Sequence, residues 1–147
     1  MDKAIIVDID GTLANIQHRA HLLVGRDSKE WCNFESGCVD DGVYEWAVNL
    51  VRMYKDVGYK ILLVSGRTES VRHETECWLK LHNIPYDELH LRPVGNFIPD
   101  YELKEKVWRE QLSGKYSVEA VLEDRQRVVD MWRRNGLTCL QCAKGDY

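Results

Sequence analysis

The sequence predicts an α/β fold: a parallel sheet with helices on both faces, three layers in all, with a small lid inserted after the first strand. Three observations predict it. The runs Ile5-Ile6-Val7, Tyr59-Lys60-Ile61-Leu62-Leu63-Val64 and Val118-Glu119-Ala120-Val121-Leu122 are short and rich in β-branched or aliphatic residues, as strands covered on both sides are. Stretches with apolar residues at helical spacing separate them. Each run also ends in polar chemistry: Asp8 and Asp10 after the first, Ser65 after the second, Glu123 and Asp124 after the last. The carboxyl edge of an open α/β sheet is where such groups belong.

The bounds agree with one domain over residues 1–147, with the lid over about 14–41. A composition of 44% hydrophobic and 30% charged residues is that of an ordinary globular chain. A net charge of −4 excludes a global basic field that would recruit nucleic acid, but leaves room for a local basic rim. No apolar run approaches the ~20 residues that span a bilayer, and the chain enters its first strand directly, so the expectation is a cytoplasmic protein without membrane contact. Five cysteines, an odd number, favour free thiols. Cys139 and Cys142 form a C-x-x-C that could join Cys32 and Cys38 around zinc. Packing is the expected role instead, because residues three apart on a strand face opposite ways.

Taken in order, the first strand runs into Asp8-Ile9-Asp10-Gly11-Thr12. Residues two apart on a strand share a face, so Asp8 and Asp10 can address one ligand. Two carboxylates there repel each other and lose hydration, and a divalent cation is the simplest compensation. In the lid, Asp27 and Glu30 suggest a capping box for a short helix with Trp31 and Phe34. The lid offers the cations His18, Arg19, His21 and Arg26, and Arg19 is the candidate for a substrate phosphate. Val43, Trp46, Ala47, Leu50, Met53, Tyr54 and Val57 recur at helical spacing, with the aromatics expected in the core, and Gly58 stops that helix.

The second strand, Tyr59–Val64, ends in Ser65-Gly66-Arg67-Thr68. Backbone N–H groups at such a turn make an anion site, and Arg67 can fork onto a phosphoryl oxygen as lysine cannot. A helix follows, capped by Thr68 or Ser70, with Val71, Cys77, Trp78 and Leu81 inward, closing at Asn83 and Pro85. Glu88–Arg92 reads as a third strand whose last residue, Arg92, is a further substrate candidate. A loop with Pro93, Gly95 and Pro99 leads to a helix from about Asp100 to Leu112, carrying Lys104 and Lys106. The fourth strand, Val118–Leu122, precedes Glu123-Asp124, a helix and a short strand over Leu137–Leu140.

Asp8-Ile9-Asp10-Gly11-Thr12 resembles the first motif of the haloacid dehalogenase-like phosphohydrolases, and Val64-Ser65-Gly66-Arg67 resembles their second. The resemblance implies a Rossmann-like core. It makes Asp8 the nucleophile and Asp10 the general acid and base. Ser65, Thr12, Gly66 and Arg67 then hold substrate, and Lys104, preferred to Lys106, pairs the nucleophile with the phosphoryl group. It also implies Mg²⁺ held by Asp8, Asp124 and the backbone carbonyl of Asp10, two carboxylates being enough protein for an ion that keeps several waters. The segment Leu122–Leu137, with Met53-Tyr54 and Gly58-Tyr59, is similar to the 3′-phosphatase domain of bacteriophage polynucleotide kinases. That implies a Mg²⁺-dependent phosphomonoesterase acting on the 3′-phosphate of a nucleic acid end or a nucleotide, through an aspartyl-phosphate, with a separate kinase or ligase as the partner. A phosphatase of a small metabolite and a non-catalytic binding module of the same fold stay open. Two departures stand out. Glu123 occupies a place where aspartate is expected, which leaves its part in the metal site secondary. No G-x-x-x-x-G-K-[ST] occurs, since Gly114-Lys115 is followed by Tyr116, so 5′-kinase activity is not carried over.

Overall fold

The computed structural model describes residues 1–20 and 37–147. Five strands, β1 (Asp2–Val7), β4 (Lys60–Thr68), β5 (Glu88–Arg92), β6 (Tyr116–Glu123) and β7 (Cys139–Gln141), form one sheet in the order β5-β4-β1-β6-β7, every pairing parallel. β1 lies at the centre because its residues are apolar on both faces, and alternation then divides them between two cores. Ile5 and Val7 join Ile61 and Leu63 on one face, covered by helices α1 (Glu45–Asp56) and α2 (Arg72–Leu81). Ala4 and Ile6 join Leu62 and Val64 on the other, under α3 (Asp100–Val107) and α4 (Gln126–Arg134). The three-layer α/β architecture is therefore as the sequence predicts. A second, antiparallel pair, β2 (Ala14–Asn15) with β3 (Gly42–Val43), brings together the two ends of the inserted segment. None of the helices among the described residues is long and apolar enough to cross a membrane.

Several boundaries and faces differ from the sequence reading, each for a local reason. β1 stops at Val7, so Asp8 and Asp10 are not strand neighbours sharing a face. The Ile9 carbonyl instead accepts the N–H groups of Thr12, Leu13 and Ala14, which curls the chain sharply after Asp8. β4 runs on through Ser65, Gly66 and Arg67 to Thr68, with an irregularity in its pairing to β5 between Val64 and Thr68, so this motif lies in a bulged strand and not in a turn. In α1 the buried residues are Ala47, Val48 and Val51, while Trp46, Met53 and, just past its end, Val57 face water. In α2 Thr75, Trp78 and Leu79 turn inward, and Cys77 and Leu81 are exposed. Both helices are rotated relative to the expected phase, because apolar residues flank the true inner face on either side. α3 continues beyond Val107 as a π-helical turn, Trp108–Leu112.

Candidate active site

Asp8 follows β1, and its N–H still donates to the Leu122 carbonyl at 3.0 Å, so the end of β6 runs alongside it. Glu123 closes β6 and Asp124 comes next, which gathers one carboxylate oxygen from each of Asp8, Glu123 and Asp124 within 4.8 Å of one another, all buried. Lys104, on α3 and 2% exposed, donates to Asp8 Oδ1 at 2.8 Å and to Glu123 Oε2 at 2.9 Å. Thr12 Oγ1 donates to Asp8 Oδ2 at 3.1 Å. Lys106 is exposed.

Three carboxylates thus cluster with one ammonium, which donates to only two of them, Asp8 and Glu123. Burial pushes Asp8 well above the usual carboxylate range, the Glu123 charge pushes it further, and Lys104 only partly offsets them. Burial likewise raises Glu123. Lys104 is held protonated, since Asp8 and Glu123 outweigh the burial that would strip its charge. Asp124 Oδ1 is buried with no hydrogen-bond partner among the described residues. Three hard oxygen donors, an unsatisfied oxygen and a deficit of positive charge fit a divalent cation of the Mg²⁺ kind. Gly11 permits the close approach: at φ +85°, a Cβ there would lie 2.1 Å from Asp124 Oδ2.

A second cluster surrounds Asp10, whose side chain is not among those gathered with Asp8. Asp10 Oδ1 accepts from Arg67 Nη2 at 2.7 Å and from Arg19 Nη2 at 2.8 Å. Both guanidiniums also donate to Asp41 Oδ2, at 3.0 and 2.8 Å, and Arg19 Nε reaches Asp41 Oδ1 at 2.8 Å. His18 Nε2 lies 2.6 Å from Asp41 Oδ1. Arg67 is fixed further by donating to Thr75 Oγ1 at 3.1 Å, and Trp78 Nε1 donates to the Asp41 carbonyl at 2.8 Å. The Asp41 side chain is fully buried, whereas that of Asp10 is 21% exposed, so Asp10 is the member that opens outward. Burial alone would raise Asp10, but Arg67 and then Arg19 outweigh it and hold the carboxyl below its ordinary range.

Ser65 and Gly66 sit between these clusters and the β5 edge. The buried Ser65 Oγ accepts the Arg67 N–H at 3.1 Å. Gly66 presses on Asp100, where a Cβ would meet Oδ1 at 2.5 Å. Arg92 is not directed at either carboxylate cluster. It donates to the carbonyls of Gly66, Asn96 and Ile98 and pairs with Asp100, which in turn pairs with Arg125 at 2.8 Å.

The sequence reading missed Asp41, Asp100 and Tyr147. The Tyr147 hydroxyl donates to Asp124 Oδ2, and its carbonyl accepts from Arg125 Nε at 2.7 Å. No periodic or motif signal marks any of the three. The proposed capping box of Asp27 and Glu30 with Trp31 and Phe34, the cations His21 and Arg26, and Cys32 lie outside the described residues. Cys139 packs in the core under α3 and α4, and Cys142 Sγ meets Thr12 Oγ1 at 3.5 Å.

The family model of the polynucleotide kinase PNKP phosphatase domain matches residues 2–147. The chain belongs to that family. This PNKP-type phosphatase domain is a phosphoric monoester hydrolase of the haloacid dehalogenase-like class. A protein of Autographa californica nuclear polyhedrosis virus named as a bifunctional polynucleotide kinase/RNA ligase is 29% identical over 133 residues, 89% of this chain and 18% of the relative. A chain in a solved Pnkp1/Rnl/Hen1 RNA repair complex is 36% identical with a TM-score of 0.87, covering 100% of this chain and 44% of that one. A class C acid phosphatase from Bacillus anthracis with tungstate bound, 15% identical with a TM-score of 0.67 over 86% of this chain and 53% of its own, shares the fold. This domain therefore spans a fifth to a half of the length of these relatives.

Proposed function

We propose that this domain removes the 3′-phosphate from polynucleotide ends through an aspartyl-phosphate on Asp8. The observation that carries the reading is Asp8 itself, a member of a cation-poor carboxylate cluster and two residues before Asp10, which two guanidiniums hold. Asp8 attacks phosphorus in line, forming the acyl phosphate while the P–O3′ bond breaks. Asp10 gives the departing 3′-oxygen a proton, and later takes one from the water that cleaves the acyl phosphate and releases inorganic phosphate. Arg67 and Arg19, which hold Asp10 in its charged form, are drawn toward the incoming phosphoryl oxygens. That loosens their hold on the carboxyl, which takes a proton from solvent before the P–O3′ bond breaks. Lys104 relieves the repulsion between Asp8 and the phosphoryl dianion, and Ser65, Gly66 and Thr12 complete the cradle.

Asp8 and Asp124, with the Asp10 carbonyl, would hold Mg²⁺, and Glu123 is close enough to join them. When bound, the ion supplies positive charge at the phosphoryl oxygens and favours ionised Asp8. Asp10 enters the metal set through its backbone alone, its carboxyl being engaged by arginine. Arg19 and Asp41 tie the two described ends of segment 14–41 to each other and to the site, within a single domain. Arg92 serves substrate indirectly, by fixing Gly66.

The relatives' names combine polynucleotide kinase, RNA ligase and RNA repair, and a freed 3′-hydroxyl is what a ligase consumes. A separate kinase or ligase is the partner this implies, with the reaction taking place in the cytoplasm. The test is a panel of 3′- and 5′-phosphorylated DNA and RNA oligonucleotides beside free mononucleotides, with Mg²⁺ and with chelator. The 3′-phosphorylated ends are expected to react fastest, and only with Mg²⁺. A preference for mononucleotides, or turnover that chelator leaves intact, would overturn the reading.

A further inference from the structure

The loop between β5 and α3, residues 93–99, is rigidly made and yet displays the barest aromatic side chain of the described residues. Arg92 is 7% exposed and spends its guanidinium on holding this loop from within, through the Asn96 and Ile98 carbonyls and Asp100. The loop also closes on itself. Asn96 N–H donates to the Pro93 carbonyl at 3.1 Å, Ile98 N–H donates to Asn96 Oδ1 at 3.1 Å, and Gly95 takes φ +84°. Here Phe97 is 92% exposed and Val94 72% exposed.

We infer that Phe97 is a stacking platform for a nucleobase at the 3′ end of a single-stranded substrate, a specificity-determining contact beside the phosphate site. The inference rests on the polynucleotide reading above. Arg92 links the two places directly, since the guanidinium that pins the loop also donates to the carbonyl of Gly66 at 3.2 Å, next to Ser65 and Arg67. The loop leaves the carboxyl end of β5, the same sheet edge as Asp8. A ring held on an ordered backbone loses little freedom when a base stacks on it, and every base has a face to offer.

The experiment compares wild type, Phe97→Ala and Phe97→Trp on three substrates. These are a short single-stranded oligonucleotide 3′-phosphate, the same strand with abasic residues at its 3′ end, and p-nitrophenyl phosphate. Phe97→Ala is expected to raise KM for the intact strand roughly tenfold with kcat nearly unchanged, as the loss of one stacked base predicts. Phe97→Trp restores it, and Phe97→Ala leaves the abasic strand and the aryl phosphate unaffected. Being so exposed, Phe97 can be replaced without disturbing the fold. A ring reserved for a protein partner would leave all these constants unchanged, which overturns the inference while the polynucleotide reading survives. Equal losses on all three substrates would assign Phe97 to loop structure and overturn it as well. A wild type that does not favour the intact strand over the aryl phosphate would remove both.

Discussion

Around Asp8, three carboxylates gather with one ammonium that reaches two of them; around Asp10, two carboxylates share two guanidiniums, and a histidine meets Asp41. Both clusters belong to one sheet edge, the first buried throughout and the second buried except at Asp10 and His18, yet the first is short of positive charge and the second is balanced. A buried charge must be paired or change its protonation, so the two are built for different tasks. The complete cluster holds its shape without help and presents Asp10 in a fixed place. The incomplete one carries a raised Asp8 and an unsatisfied Asp124 oxygen, the two features on which the proposed divalent cation rests.

The comparison can be broken most severely at Asp8. Asp8→Asn is expected to cut turnover by roughly 10⁴ or more, the scale of losing a nucleophile, while the metal-free fold stays at least as stable, because one repelling charge leaves the cluster. Activity assays and thermal melts read the two effects together. Asp41→Asn, in the balanced cluster, should do the reverse in stability. It leaves two buried guanidiniums sharing one carboxylate, that of Asp10, and costs about 3–5 kcal/mol, seen as a melting point lower by roughly 10 °C. Arg67→Lys keeps the charge and loses the fork, with an expected fall in kcat of about 10²–10³ measured at saturating substrate.

Smaller effects sharpen the contrast. Mg²⁺ at about a hundred times its dissociation constant should stabilise wild type by about 2.7 kcal/mol in a melt, and Asp124→Asn should abolish that gain. Glu88, outside both clusters, gives a reference for pH. Burial alone would raise it, but hydrogen bonds from Lys115, Tyr116 and His90 bring it down to about 2. Its contribution is complete above its ordinary value of 4.5 and is lost as pH falls towards 2, so Glu88→Gln should flatten the acid limb of a melting-point-against-pH curve.

The sheet was legible because burial on both faces leaves an unmistakable run of residues. The strand Glu88–Arg92 has the boundaries the sequence suggested, and β1 and β4 pair at the centre. Helix phase was less legible. Trp46 and Leu81 lie one and two positions from buried residues of the inner face, and hydrophobicity alone does not tell a covered residue from a bare one there. Within the site, Lys104 and not Lys106 meets Asp8, which helix geometry anticipates. Asp41 was not foreseeable, because it ends an insertion without periodicity and matters only through partners brought from β4 and from the other end of that insertion. The same is true of Tyr147, whose role exists only once the chain folds back on Asp124.

The most direct test follows the phosphorus atom. An oligonucleotide carrying a labelled 3′-phosphate is mixed with excess enzyme and Mg²⁺, quenched in acid within the first turnover, and the protein is digested and mapped. The label should be found on the peptide containing Asp8 in wild type and be missing from Asp8→Asn. Steady release of phosphate with no protein-bound label at any time would contradict the account.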